Sequence, residues 1–199
     1  AEALRAPMED RKVVISRLRS KVEYPASFML VAASNPCPCG YWGDGDRCTC
    51  TPYQRMTYLS KISGPIQDRV DVQIWCKRVS AGELAGAGAA ESSEVIAGRV
   101  LKARIIQKDR FAKERESGIM IMTNAEMNNR QIEKYCPLSQ ACKDTLTRLM
   151  EKMGLSLRAY FRIIKVARTI ADLAGENEIS PRHIAEAAGY RFLDRDREF

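Results

Sequence analysis

The sequence contains no Gly-x-x-x-x-Gly-Lys-[Ser/Thr] loop, no Gly-Lys dipeptide, and no apolar run ending in Asp-Glu. A nucleotide is therefore not gripped here by the usual glycine-rich cradle with its lysine and metal-holding acids. No apolar stretch approaches about 18 residues, and no charged segment followed by a short apolar one opens the chain, which begins at Ala1. A soluble cytoplasmic protein, or a piece of a longer one, is expected. Histidine is nearly missing: His183 stands alone in the first turn of a C-terminal helix, where a surface position is expected rather than a ligand. Cysteine is not scarce, but its count of seven is odd and no secretory signal precedes it, so disulfides are the poorer explanation.

What is present sets a second frame. At 199 residues the chain suffices for one large domain or two small ones with a real core. Lys and Arg number 32 against 25 acids, and the net charge of +7 leans toward a polyanionic partner such as nucleic acid or nucleotide.

The local signals divide the chain into unequal parts. "KVVISRLRSKVEYP" (12–25) reads as a hairpin of two β-branched runs, Val13–Ser16 and Val22–Tyr24, around a basic connection. "FMLVAA" (28–33) has the length and continuous apolarity of a strand covered on both faces, and "VDVQIW" (70–75) is a second strand candidate. Thr51 and Pro52 open a short helix to about Ile62, which Ser63, Gly64 and Pro65 end. Residues 80–93, rich in Gly, Ala and Ser, read as a mobile connection.

Beyond it the pattern is helical. A run from Glu94 to about Glu116 keeps Ile96, Val100, Ala103 and Ile106 or Gln107 at helical spacing. A helix over 139–153 ends at Gly154, and Ser156 caps the next. That helix, 157–174, puts Leu157, Tyr160, Phe161, Ile164, Ala167 and Ala171 on one face and Arg158, Arg162 and Lys165 on another. Ser180 and Pro181 open a last helix. The fold class expected is a partial α/β core over 1–79, a linker over 80–93, and an all-helical subdomain over 94–199.

Several motifs stand in a specific order: "EALRAPMED", "NPCPCG", "KISGPIQDRVD", "ESSEVIAGRV", "NRQIEKYC" and "ISPRHIAEAAGYRFLDR". In that order and spacing the chain resembles the C-terminal portion of magnesium-chelatase-like AAA+ ATPases of the ComM/YifB type. The resemblance implies the half of a P-loop ATPase core that lacks Walker A and B, followed by a helical lid. It implies ATP and Mg²⁺ as cofactors of the full-length parent, an N-terminal Walker A/B half as partner, and neighbouring subunits of a ring, a hexamer by family habit. The chain would not hydrolyse ATP alone.

Residue roles follow from the same resemblance. Asn35, at the end of an apolar run, resembles sensor 1, whose amide can orient the attacking water; read locally, it opens a turn before Pro36. Arg69 resembles a trans arginine finger, an effect worth about 10³ or more in turnover in related hydrolases, and its local reading is an ion pair with Asp68 or Asp71. Arg158 resembles sensor 2, reaching the nucleotide of its own subunit, against a reading as part of a solvated basic face. In ring-shaped relatives the hairpin faces the central channel, where Arg17, Arg19 and Lys21 would contact DNA phosphates; edge strands also carry basic residues merely to avoid aggregation.

Cys37, Cys39, Cys48 and Cys50 form a C-x-C-x8-C-x-C loop in which Gly40, Gly43 and Gly45 let the chain fold back. Four thiolates around one structural Zn²⁺ is the first reading, free thiols the second and disulfides the last. Cys76, Cys136 and Cys142 are scattered and read as ordinary thiols. Two functions of different class stay open: part of a ring ATPase linked to DNA, or a stand-alone zinc-containing nucleic-acid-binding or interaction protein without ATPase activity.

Overall fold

A computed structural model describes residues 2–17, 20–76, 78–86, 88 and 90–191. Among them the chain forms two compact units, one running to Val70 with Cys76 and Arg78, the other holding Asp71–Trp75 and the chain from Val79 onward. Most described residues in elements are helical, and one two-stranded sheet is present. No described helix is long and apolar enough to cross a membrane.

In the first unit, helix α1 (Arg5–Asp10) leads into strands β1 (Lys12–Arg17) and β2 (Ser20–Pro25). They pair antiparallel, with Ser16 opposite Lys21 and Arg17 opposite Ser20, so the expected hairpin is present. Every described strand residue is exposed, and a Lys12–Glu23 ion pair of 3.0 Å joins the two strands on the surface. Helix α2 (Pro52–Leu59) starts as anticipated at Thr51. Its hydroxyl accepts from the Gln54 amide at 3.2 Å while the Gln54 side chain accepts from the Thr51 amide at 2.9 Å, satisfying two orphan donors at once. The Ser-Gly-Pro stretch does more than end that helix: it opens a short one, α3 (Gly64–Gln67), because Pro65 needs no hydrogen-bond partner for a missing N–H in a first turn.

Neither expected strand forms. Residues 28–33 form no strand, with Met29 and Val31 more than 80% exposed at 87% and 82%. Residues 70–75 likewise carry no ladder; the Gln73 amide donates instead to the Tyr190 carbonyl at 2.7 Å. The reason is that strand propensity is realised only against a partner, and among the described residues no third strand offers one. The expected α/β layer is thus reduced to its hairpin.

In the second unit part of the Gly/Ala/Ser stretch folds as helix α4 (Ala81–Gly86), started by Ser80, whose N–H and hydroxyl both reach Glu83 at 2.8 Å. The run expected over 94–116 is two helices, α5 (Ser93–Arg110) and α6 (Ala112–Glu116), separated at Phe111, which is fully buried. On α5 only Ala103 and Gln107 are buried, whereas Ile96, Val100 and Ile106 remain exposed. Helix α7 (Asn129–Tyr135), not anticipated, is announced in retrospect by a reciprocal Asn128–Gln131 cap. Helices α8 (Gln140–Met153), α9 (Leu157–Ala174) and α10 (Pro181–Gly189) form where expected, capped by Ser139, Ser156 and the Ser180–His183 box. Gly154 closes α8 at φ +58°, a left-handed conformation that strains any other common residue.

Helix α9 is the centre of this unit, packing against α5, α7 and α10. Its inward face is rotated from the expected one: Ala159, Ile163, Ile164, Ala167, Arg168, Ala171 and Asp172 are buried, while Leu157 is 70% exposed. Phe111, Ile121, Leu146, Ile163 and Ile184 complete a continuous apolar core. His183, expected on the surface, is buried within it because its Nδ1 accepts from the Ser180 amide at 3.1 Å and closes the helix start.

Candidate functional site

Four thiols dominate the first unit. After Pro36 the chain turns at Cys37, whose carbonyl accepts from the Gly40 amide at 3.0 Å, and Gly40 takes φ +83° with the Asn35 side chain against its open face. A second turn, Asp44 N–H to Tyr41 carbonyl at 2.9 Å, bends the chain again before Cys48 and Cys50, which lie beside the first pair. All four sulfurs lie within 4.8 Å of one another; Cys37–Cys39 is 3.3 Å, Cys37–Cys48 3.8 Å and Cys39–Cys48 3.7 Å. Tetrahedral zinc with Zn–S bonds of about 2.3 Å requires sulfur–sulfur edges of about 3.8 Å. The sulfur separations bracket that edge, so the cluster is close to the size of the ion.

Its electrostatics fit a cation as well. The Tyr41 amide, aimed at the Cys39 sulfur, leads the influences that hold that thiol down at about 6. Cys50 moves the other way, to about 11: the Cys39 amide lowers it, but desolvation and the neighbouring Cys39 and Cys37 sulfurs outweigh that. Four sulfurs this close cannot all ionise without a counter-charge, and a divalent ion is the natural one. Cys37, fully buried, with Cys39, Cys48 and Cys50 would hold zinc in a closed set of four ligands, a structural rather than hydrolytic arrangement. The remaining cysteines are separate: Cys76 is exposed, Cys142 donates to the Ile179 carbonyl at 3.2 Å in the helical core, and burial pushes the Cys136 thiol up to about 11.

The other anticipated residues are distributed. Asn35 is exposed at the head of the cysteine loop. Arg69, just past α3, is 4% exposed and pairs with Glu9 of α1, and it donates to the Pro65 carbonyl at 2.6 Å. Of the two acids expected beside it, Asp71 pairs with Arg162. Arg158 is exposed in the first turn of α9. Arg162 and Lys165, read with it as a basic stripe, are engaged by Asp71 and by the Ala125 carbonyl at 3.1 Å. Arg17 and Lys21 are exposed at the hairpin end, and Arg19 lies outside the described residues.

Two family models cover these features in succession. One, "Magnesium chelatase, subunit ChlI", matches residues 1–84, and the other, "Magnesium chelatase, subunit ChlI C-terminal", matches residues 90–191. The chain belongs to the magnesium chelatase ChlI family, ComM/YifB type. Within that family it is 42% identical over 98% of its length to "Competence protein ComM" of Haemophilus influenzae. It is 40% identical over 98% to "Uncharacterized protein YifB" of Salmonella typhimurium. A more distant relative, "Uncharacterized protein Mb2921c" of Mycobacterium bovis, is 35% identical over 96% of the chain. The chain spans only 36% to 37% of the length of these relatives.

Proposed function

We propose that this chain is the sensor, finger and lid part of a ring-forming AAA+ ATPase, with a Walker A/B half outside this sequence supplying the phosphate loop and the metal-holding acids. The observation that carries the reading is the ordered match to both ChlI models, across relatives nearly three times as long. In this reading residues 1–79 are the C-terminal half of the α/β core, 80–93 a linker and 94–199 the connector and lid. ATP with Mg²⁺ binds the parent ring, a hexamer, and DNA is the linked substrate, touched by Arg17, Arg19 and Lys21 as point charges.

Each residue has a definite task. The Asn35 amide orients the attacking water; its exposure leaves it accessible to a nucleotide. Arg69 stabilises the charge developing on the neighbouring subunit's phosphates, an Arg-specific task because the guanidinium stays charged and its planar fork meets two oxygens. Glu9 and the Pro65 carbonyl hold it in place, and Glu9 must yield when phosphate arrives. Arg158 acts from the lid within its own subunit.

Mixed rings test this. In the full-length parent, Arg69→Ala abolishes turnover while sparing nucleotide binding, and mixing it with a phosphate-loop mutant restores some activity at the mixed interface. Arg158→Ala shows no such rescue by neighbours. Turnover of Arg69→Ala within about twofold of wild type, less than ~0.5 kcal/mol in barrier, removes the finger and the ring reading built on it.

The cage geometry favours a second element of the proposal: Cys37, Cys39, Cys48 and Cys50 hold one structural Zn²⁺. Elemental analysis of protein purified without chelator is expected to give about one zinc per chain, and mutation of Cys37 to Ser to release it. Less than about a tenth of an equivalent, with four freely titrating thiols, excludes the site.

A further inference from the structure

We propose that the groove between the cysteine loop and α2 is a base-stacking site for single-stranded nucleic acid. The groove, about 220 Å³, is lined by Pro38, Tyr53, Gln54, Thr57, Tyr58 and Lys61. One wall is the Pro38 ring, fixed between Cys37 and Cys39; the other is the tyrosine face of α2 and the residue two beyond its end. Tyr53 is 71% exposed, so its ring face is open. Lys61 lies 5.5 Å from the Tyr58 ring centre, at the edge of the same groove.

The surroundings repeat the pairing of flat ring and cation. The Arg55 guanidinium is 5.6 Å from the Trp42 ring, and Arg47 and Arg78 lie 5.8 and 5.9 Å from Tyr41. Asp44 reaches both Arg47 and Arg78 at 3.4 Å, but those pairs are exposed and weak, and among the described residues no carboxylate pairs with Arg55 or Lys61. Apolar ring faces bordered by cations are complementary to a base face with its phosphate, and every base has such a face. In a duplex those faces are covered by stacking, so a single strand is the form that fits. A proline-rich peptide also fits ring-lined grooves, but it does not use the cations.

The site rests on the zinc reading only for the position of Pro38, and binding of fluorescein-labelled oligo-dT of about 15 nucleotides to the full chain, followed by anisotropy, separates the two. Tyr53→Ala and Tyr58→Ala are each expected to weaken binding about tenfold, with Tyr53→Phe within about twofold of wild type. Lys61→Gln is expected to lower the salt slope by about one, and a duplex of the same length to bind at least tenfold more weakly than the single strand. Tyr53→Ala retains the fold because its ring is exposed, which circular dichroism checks. Absence of oligo-dT binding, a Tyr53→Ala effect below twofold, or loss of binding only in an Arg17→Ala, Lys21→Ala variant overturns the proposal. So does Tyr53-dependent binding of a polyproline peptide without oligo-dT binding. A tenfold Tyr53→Ala effect in protein that proves free of metal sustains the groove and removes the zinc reading alone.

Discussion

His183 shows at the residue scale how one buried side chain sets a pH response. Burial, then the Arg182 and Arg168 charges, lower its pKa below the ordinary value, although Glu176 lies 3.4 Å from its Nε2. In the unfolded chain the imidazole titrates near 6.5, about half a unit below neutrality. As pH falls through that value the unfolded chain takes up the proton first, so folding stability is full above it and declines below. The denaturant midpoint of the helical unit is therefore expected to drop between pH 7 and 5.5, where carboxylates still contribute little. His183→Gln is expected to flatten that decline while keeping the helix start, since Gln at the third position completes a Ser180 capping box equally well. An unchanged slope in the variant would assign the pH response elsewhere.

Within α9 the buried face carries two charged residues, Arg168 and Asp172, beside its apolar ones. Asp172, fully buried, accepts from Arg110 at 2.7 Å, from the Asn124 amide group at 2.8 Å and from Arg168 Nε at 3.1 Å. Arg168 also donates to the Asn177 and Glu176 carbonyls at 2.7 and 2.5 Å, tying the chain that follows α9 back onto the helix. Desolvation lowers the Arg168 pKa, but the guanidinium remains charged, so its partner cannot be removed cheaply. Asp172→Ala leaves two arginines without their anion and is expected to destabilise the helical unit by about 3 kcal/mol or more, measured by urea unfolding. A loss below about 1 kcal/mol would mean that water replaces the carboxylate.

At the scale of the whole molecule the two units differ in what holds them. The helical unit has a continuous core of large side chains. In the first unit the buried apolar residues, among those described, are Cys37 and Ile66. So few buried apolar side chains contribute little against the ordering of the backbone over such a length. The zinc ion proposed for the cysteine cage would add to the unit's order. Limited proteolysis of the chain is accordingly expected to leave a resistant fragment within about 94–191 and to cut first within about 1–75. A resistant region confined to about 1–75 would contradict this.

The sequence by itself determined the features whose signals act over a few residues. Thr51-Pro52, Ser139, Ser156, Gly154 and Ser180-Pro181 place helix ends because a cap satisfies backbone groups in the adjoining turn, and the β-branched runs around 12–25 place a hairpin because its partner strand is next in sequence. The C-x-C pairs and intervening glycines likewise sufficed to anticipate the four-thiol cluster. Only the tertiary structure decided which strand candidates found partners, and neither 28–33 nor 70–75 did. It also decided that His183, Arg168 and Asp172 lie inside while Leu157 lies outside, and that Arg69 pairs with Glu9, sixty residues away in sequence. Ladder pairing, burial and charge pairing are settled by neighbours distant along the chain, whose presence no local periodicity encodes.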